Sequence, residues 1–125
     1  MAGEARILLI DDMPDVRKSI RMVLKRAGHE IEEAENGREG IEKAKSGKFD
    51  LVITDMLMPE ADGGEVVQAI RRQGRTPVLA VSGGGMQVSP DGALELAEKT
   101  ADATLKKPFS REDLLQAVNG LLGKQ

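Results

Sequence analysis

Short apolar runs alternate along the chain with longer stretches in which apolar residues recur at helical spacing. The run Ile7 to Ile10 predicts a first strand, stopped by Asp11-Asp12. Val16, Ile20, Val23, Leu24 and Ala27 then mark one face of a helix closed by Gly28. His29 to Glu33 predicts a weak strand with Ile31 as its one strong apolar residue, and Gly37 to Ser46 a helix with Ile41 and Ala44 inward. Leu51, Val52 and Ile53 form a wholly apolar strand ending at Thr54-Asp55. A helix carrying Val66, Val67 and Ile70 follows Gly63-Gly64, and Pro77 opens a fourth strand, Val78 to Val81, ending at Ser82. After a glycine-rich loop, Ser89-Pro90 reads as an N-cap with proline in the first helical position, ahead of Ala93, Leu94 and Ala97. Ala103 to Leu105 predicts a short fifth strand. Ser110 and Asp113 have capping-box spacing for a last helix with Leu114, Leu115, Val118, Leu121 and Leu122.

The pattern is a βα unit repeated five times. Apolar strands alternating with amphipathic helices require a parallel sheet covered on both faces, and right-handed crossovers leave few ways to order it. The expected fold is α/β: a doubly wound (βα)5 sandwich of three layers, flavodoxin-like, with five parallel strands in the order 2-1-3-4-5. A length of 125 residues fits one domain, residues 1–125, with no output domain expected.

Composition narrows the chemistry. Aromatic residues make up 2% of the chain, Phe49 and Phe109, so the core must be aliphatic. There is no cysteine and one histidine, His29, which excludes disulfides, thiolate metal sites and multi-histidine metal sites. The net charge of −3 speaks against a nucleic-acid surface. No stretch has the length and apolarity of a signal peptide or a membrane span, so a cytoplasmic setting is expected.

In a parallel sheet all strands end on one edge, and ligands bind outside those carboxyl ends near the reversal of strand order. Here that edge collects Asp11 and Asp12 from strand one, Asp55 from strand three, Ser82 from strand four, and Lys106 and Lys107 from strand five. Crowded carboxylates repel by several kcal/mol per pair at ~4 Å and an effective dielectric near 20. A hard divalent cation relieves that repulsion. Mg2+ suits oxygen ligands and keeps several waters, and in that state offsets charge in phosphoryl transfer. A carboxylate can itself be the nucleophile, forming an acyl phosphate, while an ammonium and a hydroxyl contact the other phosphoryl oxygens.

These residues lie in motifs that resemble the receiver domains of two-component response regulators, over essentially the whole chain. The motifs are Leu-Leu-Ile-Asp11-Asp12; Leu-Val-Ile-Thr-Asp55-Met-Leu-Met-Pro59 with Gly63 beyond it; Ser82 after the fourth strand; and Lys107-Pro108-Phe109. The resemblance implies a phosphorylation-dependent switch, not an enzyme beyond its own phosphorylation and dephosphorylation. Asp55 would accept the phosphoryl group from a sensor histidine kinase or a histidine phosphotransfer protein. Asp12 would ligate Mg2+ directly, Asp11 would assist, and Asp55 and the Leu57 carbonyl would complete the protein ligands. Ser82 would hydrogen-bond the phosphoryl group. Lys107 rather than Lys106 would be the family lysine, with a cis peptide to Pro108. A downstream protein target, no nucleic acid, no membrane, and a monomer or weak dimer are expected.

Three positions depart from the family pattern. Thr104 stands where the switch residue of strand five is usually aromatic, the Gly83-Gly84-Gly85 segment is long and glycine-rich, and Thr100 replaces a common glycine. Leu57 and Gly84 offer no group to position an attacking water, which predicts slow self-dephosphorylation. His29 is expected at the surface, Lys106 in solvent, and Met56, Met58 and Phe109 in packing. Two alternatives are a receiver-like binding module that takes no phosphate, which the intact acids and lysine oppose, and an aspartyl-phosphate phosphatase, which would want a second Asp where Leu57 stands. A flavin protein would need a hydroxyl-rich loop where Asp11 and Asp12 stand.

Overall fold

Apolar side chains on both faces of a strand bury it between two layers, and β1 (Arg6–Ile10) is such a strand: Ile7 to Ile10 are fully buried. The computed structural model describes residues 5–56, 63–82 and 101–123. Around β1 lie β2 (Glu30–Ala34), β3 (Leu51–Asp55), β4 (Val78–Ser82) and β5 (Ala103–Lys106), in one sheet of order β2-β1-β3-β4-β5. Every pairing is parallel. The described helices are α1 (Pro14–Arg26), α2 (Gly37–Ser46), α3 (Gly63–Gln73) and α4 (Arg111–Leu121). The expected strand order is the one observed. The helix expected after Ser89-Pro90 lies outside the described residues.

Alternation along the strands sorts the core into two halves. Ile7, Leu9, Leu51, Ile53, Leu79 and Val81 pack with Ile20 and Leu24 of α1 and Leu114 and Val118 of α4. Leu8, Ile10, Val52 and Val78 face the other way, against Ala44 of α2 and Val66, Val67 and Ile70 of α3. At about 25 cal/mol per Å2 of apolar area removed from water, a fully buried aliphatic side chain is worth roughly 1.5–3 kcal/mol, so this aliphatic set needs no aromatic centre. Phe109 packs against the α1 and α4 half and Phe49 against the other.

Side-chain caps fix where α2 and α4 begin. Asn36 Oδ1 accepts the Glu39 N–H at 2.8 Å, while Glu39 Oε1 accepts the Glu35 N–H at 2.6 Å. Ser110 and Asp113 form the expected reciprocal box, Ser110 Oγ accepting the Asp113 N–H at 3.0 Å and Asp113 Oδ2 the Ser110 N–H at 3.2 Å. At the edge opposite the acidic residues, Asp102 Oδ2 takes the first N–H of β4 (Val78) and the Arg71 guanidinium, both at 2.7 Å.

Two local expectations change. β2 runs through Ala34, which is buried, while Ile31 is half-buried. His29, expected at the surface, is 7% exposed. The turn at Gly28, with φ of +97°, returns the chain beneath the end of α1. There the Leu24 carbonyl accepts the His29 N–H at 3.1 Å.

Candidate functional site

The site is built from the ends of β1, β3, β4 and β5. Asp11 directly follows β1, and its N–H donates to the Ala34 carbonyl at the end of β2 at 3.1 Å. Its side chain then folds over the start of α1, with Oδ1 accepting the Met13 N–H at 2.9 Å. That bond supplies an acceptor where α1 has no side-chain cap, since Met13 occupies the N-cap position ahead of Pro14. Asp11 is 1% exposed and Asp12 is half-buried.

Asp55 ends β3 in register with Val81 of β4, and is 5% exposed. Thr54 Oγ1 donates to the Asp55 carbonyl at 2.9 Å. β5 ends at Lys106 and the chain bends at Lys107, which separates the two lysines. Lys106 pairs with Ser82 in the ladder and is exposed. Lys107, whose N–H donates to the Ser82 carbonyl at 2.8 Å, turns its ammonium inward. Its Nζ lies 3.4 Å from Asp55 Oδ2 and 3.8 Å from Asp11 Oδ2. The Lys107–Pro108 peptide is cis.

Asp11, Asp12 and Asp55 each present a carboxylate oxygen, and the three lie within 4.8 Å of one another. A single hard cation with oxygen preference spans such a set. Burial pushes the Asp11 carboxyl above its usual value; the Met13 N–H pulls it down, Asp55 pushes it up, Lys107 pulls it down and Asp12 pushes it up. The net direction is upward, so ionised Asp11 is harder to hold in the folded chain than in the unfolded one.

The sign of the pH dependence follows. A carboxyl raised on folding subtracts stability as pH climbs from its unfolded value through its folded value. Asp11→Asn keeps an oxygen for the Met13 N–H and removes the buried charge. In EDTA at pH 7 this variant is expected to melt a few degrees above the wild type by scanning calorimetry. The gain should vanish as pH falls and wild-type Asp11 protonates. Equal melting temperatures at pH 7 would show that the buried charge carries no such penalty.

Of the residues singled out in the sequence, Asp11, Asp12, Asp55 and Lys107 come together, and Ser82 stands one residue past the Val81–Asp55 pair. The Leu57 carbonyl lies outside the described residues, as do Met58, Pro59, Gly83, Gly84, Gly85 and Thr100. Thr104 is exposed on β5, Lys106 is exposed as expected, and Met56 is 2% exposed in the core. The sequence pattern does not single out Arg17, whose Nη1 donates to the Asp11 carbonyl at 2.7 Å. The signal was the Arg17 and Arg21 pair, one helical turn apart, ahead of a strand carrying Glu30, Glu32 and Glu33.

A family profile described as the response regulator receiver domain matches residues 7–119. Transcriptional regulatory protein ResD of Bacillus subtilis is 35% identical over 120 residues, covering 96% of this chain and 49% of that protein. Transcriptional regulatory protein SrrA of Staphylococcus aureus is 33% identical, covering 93% and 47%. The chain thus spans about half the length of the curated relatives it matches. Among solved structures, chemotaxis response regulator CheY4 of Vibrio cholerae superposes with a TM-score of 0.82 at 34% identity, covering 94% of this chain and 98% of that one. Response regulator protein TrrA of Thermotoga maritima, solved in complex with Mg2+ and BeF, gives 0.80 at 33% identity, covering 93% and 97%.

Proposed function

The chain belongs to the response regulator receiver domains of two-component systems, and from that premise we propose that it is a phosphorylation-dependent signalling switch. In this reading Asp55 takes a phosphoryl group from a phosphohistidine on a sensor kinase or phosphotransfer protein, with Mg2+ held by Asp11, Asp12 and Asp55. The observation that carries it is the convergence of three carboxylates within 4.8 Å, one of them 3.4 Å from the Lys107 ammonium. The donor set consists of oxygens from charged, largely buried groups, which fits Mg2+. TrrA, at 33% identity, was solved with Mg2+ and BeF together.

Each residue then has a task. An ionised Asp55 oxygen attacks phosphorus, forming the Asp55 O–P bond as the donor's P–N bond breaks. The bonding pair leaves with the imidazole nitrogen, which takes up a proton. Lys107 exchanges its contact with Asp55 for one with a phosphoryl oxygen, and the Ser82 hydroxyl donates to another. When bound, Mg2+ offsets the charge gathering on the phosphoryl oxygens. The changed surface is then recognised by a protein target.

The test is direct. The protein is incubated with a small-molecule phosphodonor and Mg2+, and its intact mass is measured. One added phosphoryl group is expected with Mg2+ and none when EDTA replaces it. A mass unchanged in Mg2+ would overturn the reading.

A further inference from the structure

The backbone of Asp11 is tied on both sides to the end of β2. Its N–H donates to the Ala34 carbonyl at 3.1 Å, and its carbonyl accepts Arg17 Nη1 at 2.7 Å. The same guanidinium turns Nε to Glu33 Oε1 at 2.9 Å. Glu33 is itself held: Oε2 accepts Arg21 Nη1 at 2.5 Å, and its backbone carbonyl accepts Lys43 Nζ at 2.5 Å. The ring therefore closes from β2 through Arg17 to the Asp11 carbonyl, and from the Asp11 N–H back to β2.

We propose that Arg17 is a positioning residue for the acidic pair, holding the peptide plane between Asp11 and Asp12 so that both carboxylates meet one cation. The inference rests on the Mg2+ reading above. The carbonyl that Arg17 grips belongs to the peptide unit joining the two acids, so a turn of that plane swings both side chains. Outer partners that orient ligands set metal affinity in this way. A guanidinium suits the task because its planar fork donates in two fixed directions at once, whereas an ammonium is a single point of charge. Burial works to raise the Glu33 carboxyl, but the hydrogen bonds and charges of Arg21 and Arg17 hold it below the usual carboxylate value. The anchor of Arg17 thus stays ionised near neutral pH.

Charge alone makes the opposite prediction, which sharpens the test. Arg17 is a cation beside a cation site, so by Coulomb attraction its removal would tighten Mg2+ binding. Positioning requires that removal weaken it. Mg2+ affinity is measured by titration calorimetry on the full chain, with melting temperature recorded alongside. The variants are Arg17→Met, which keeps the apolar stem; Arg17→Lys, which keeps the charge but not the fork; and Arg21→Met, which loosens Glu33 without touching Asp11.

Arg17→Met and Arg17→Lys are each expected to bind about tenfold more weakly, and Arg21→Met within about twofold of wild type, with melting losses similar for the two methionine variants. Mg2+ binding by Arg17→Met at or above wild-type affinity would overturn the proposal. So would wild-type binding by Arg17→Lys, or an equal loss in Arg21→Met. A wild-type protein that binds no Mg2+ would instead overturn the cation reading, and this inference with it.

Discussion

Asp55→Asn is expected to take up no phosphoryl group under conditions in which the wild type is fully modified. The carboxamide has nearly the shape of the carboxylate, so the pocket formed by the ends of β3 and β4 stays filled. The amide oxygen still faces Lys107, whose Nζ sits 3.4 Å from the oxygen it replaces. What disappears is the carboxylate proposed as the nucleophile, and an amide oxygen does not form a stable acyl phosphate. One of the three carboxylates proposed to hold the cation is lost too, so Mg2+ affinity should also fall. The fold should survive, because Asp55 contributes charge rather than apolar packing, and its backbone partners lie in the sheet. The readout is intact mass after incubation with donor and Mg2+, paired with circular dichroism. An equal mass gain in the variant would mean that some other side chain is the acceptor.

The second large effect is expected from Gly63→Ala. Gly63 opens α3, and its N–H donates to the Met56 carbonyl at 3.0 Å. A Cβ there would stand 2.7 Å from the Asp55 carbonyl oxygen, 2.7 Å from Met56 Cα and 2.7 Å from Met56 Sδ. Met56 Sδ can swing away, but the other two atoms are backbone at the end of a buried strand. Overpacking a filled core typically costs 1–3 kcal/mol, and about 3 kcal/mol is expected here, where backbone has to move. That movement displaces Asp55 itself, so phosphoryl uptake should slow along with the loss of stability. Gly40→Ala makes the contrast, since its Cβ would meet the Ile10 side chain rather than backbone. Urea unfolding that finds Gly63→Ala as stable as wild type would refute the steric account.

How much of this could be read in the sequence depends on the range of the interactions. The strands could be read because Ile7 to Ile10, Leu51 to Ile53 and Val78 to Val81 are buried on both faces and therefore apolar without interruption. The start of α4 was legible because its cap lies within four residues. β2 was blurred: an edge strand reading Glu-Ile-Glu-Glu-Ala lacks a clean alternation, and its ion pairs reach residues far away in the chain. The convergence of Asp11, Asp12 and Asp55 could be derived because a parallel sheet sends all its strand ends to one edge. Strand ends alone leave Lys106 and Lys107 both open; the Lys107-Pro108 motif selects Lys107, and the bend that follows β5 turns its ammonium toward Asp55. Arg17 carries no local signature because its partners, the Asp11 carbonyl and Glu33, are set by the pairing of β1 with β2 rather than by any local motif. The burial of His29 is illegible locally for the same reason, since it depends on how the Gly28 turn packs beneath α1.

β1 is hydrogen-bonded along both edges and packed on both faces, contributing Ile7 and Leu9 to one half of the core and Leu8 and Ile10 to the other. Such a strand has no way to open by itself: exposing its amides to solvent means dissolving both halves, so its local opening energy approaches that of the whole domain. The acidic pair inherits that protection. β5 has the opposite character, an edge strand with Thr104 and Lys106 exposed. The acidic pair thus follows an enclosed strand while Lys107 follows an edge strand, and a new phosphoryl contact at Asp55 would act more readily on β5 than on β1.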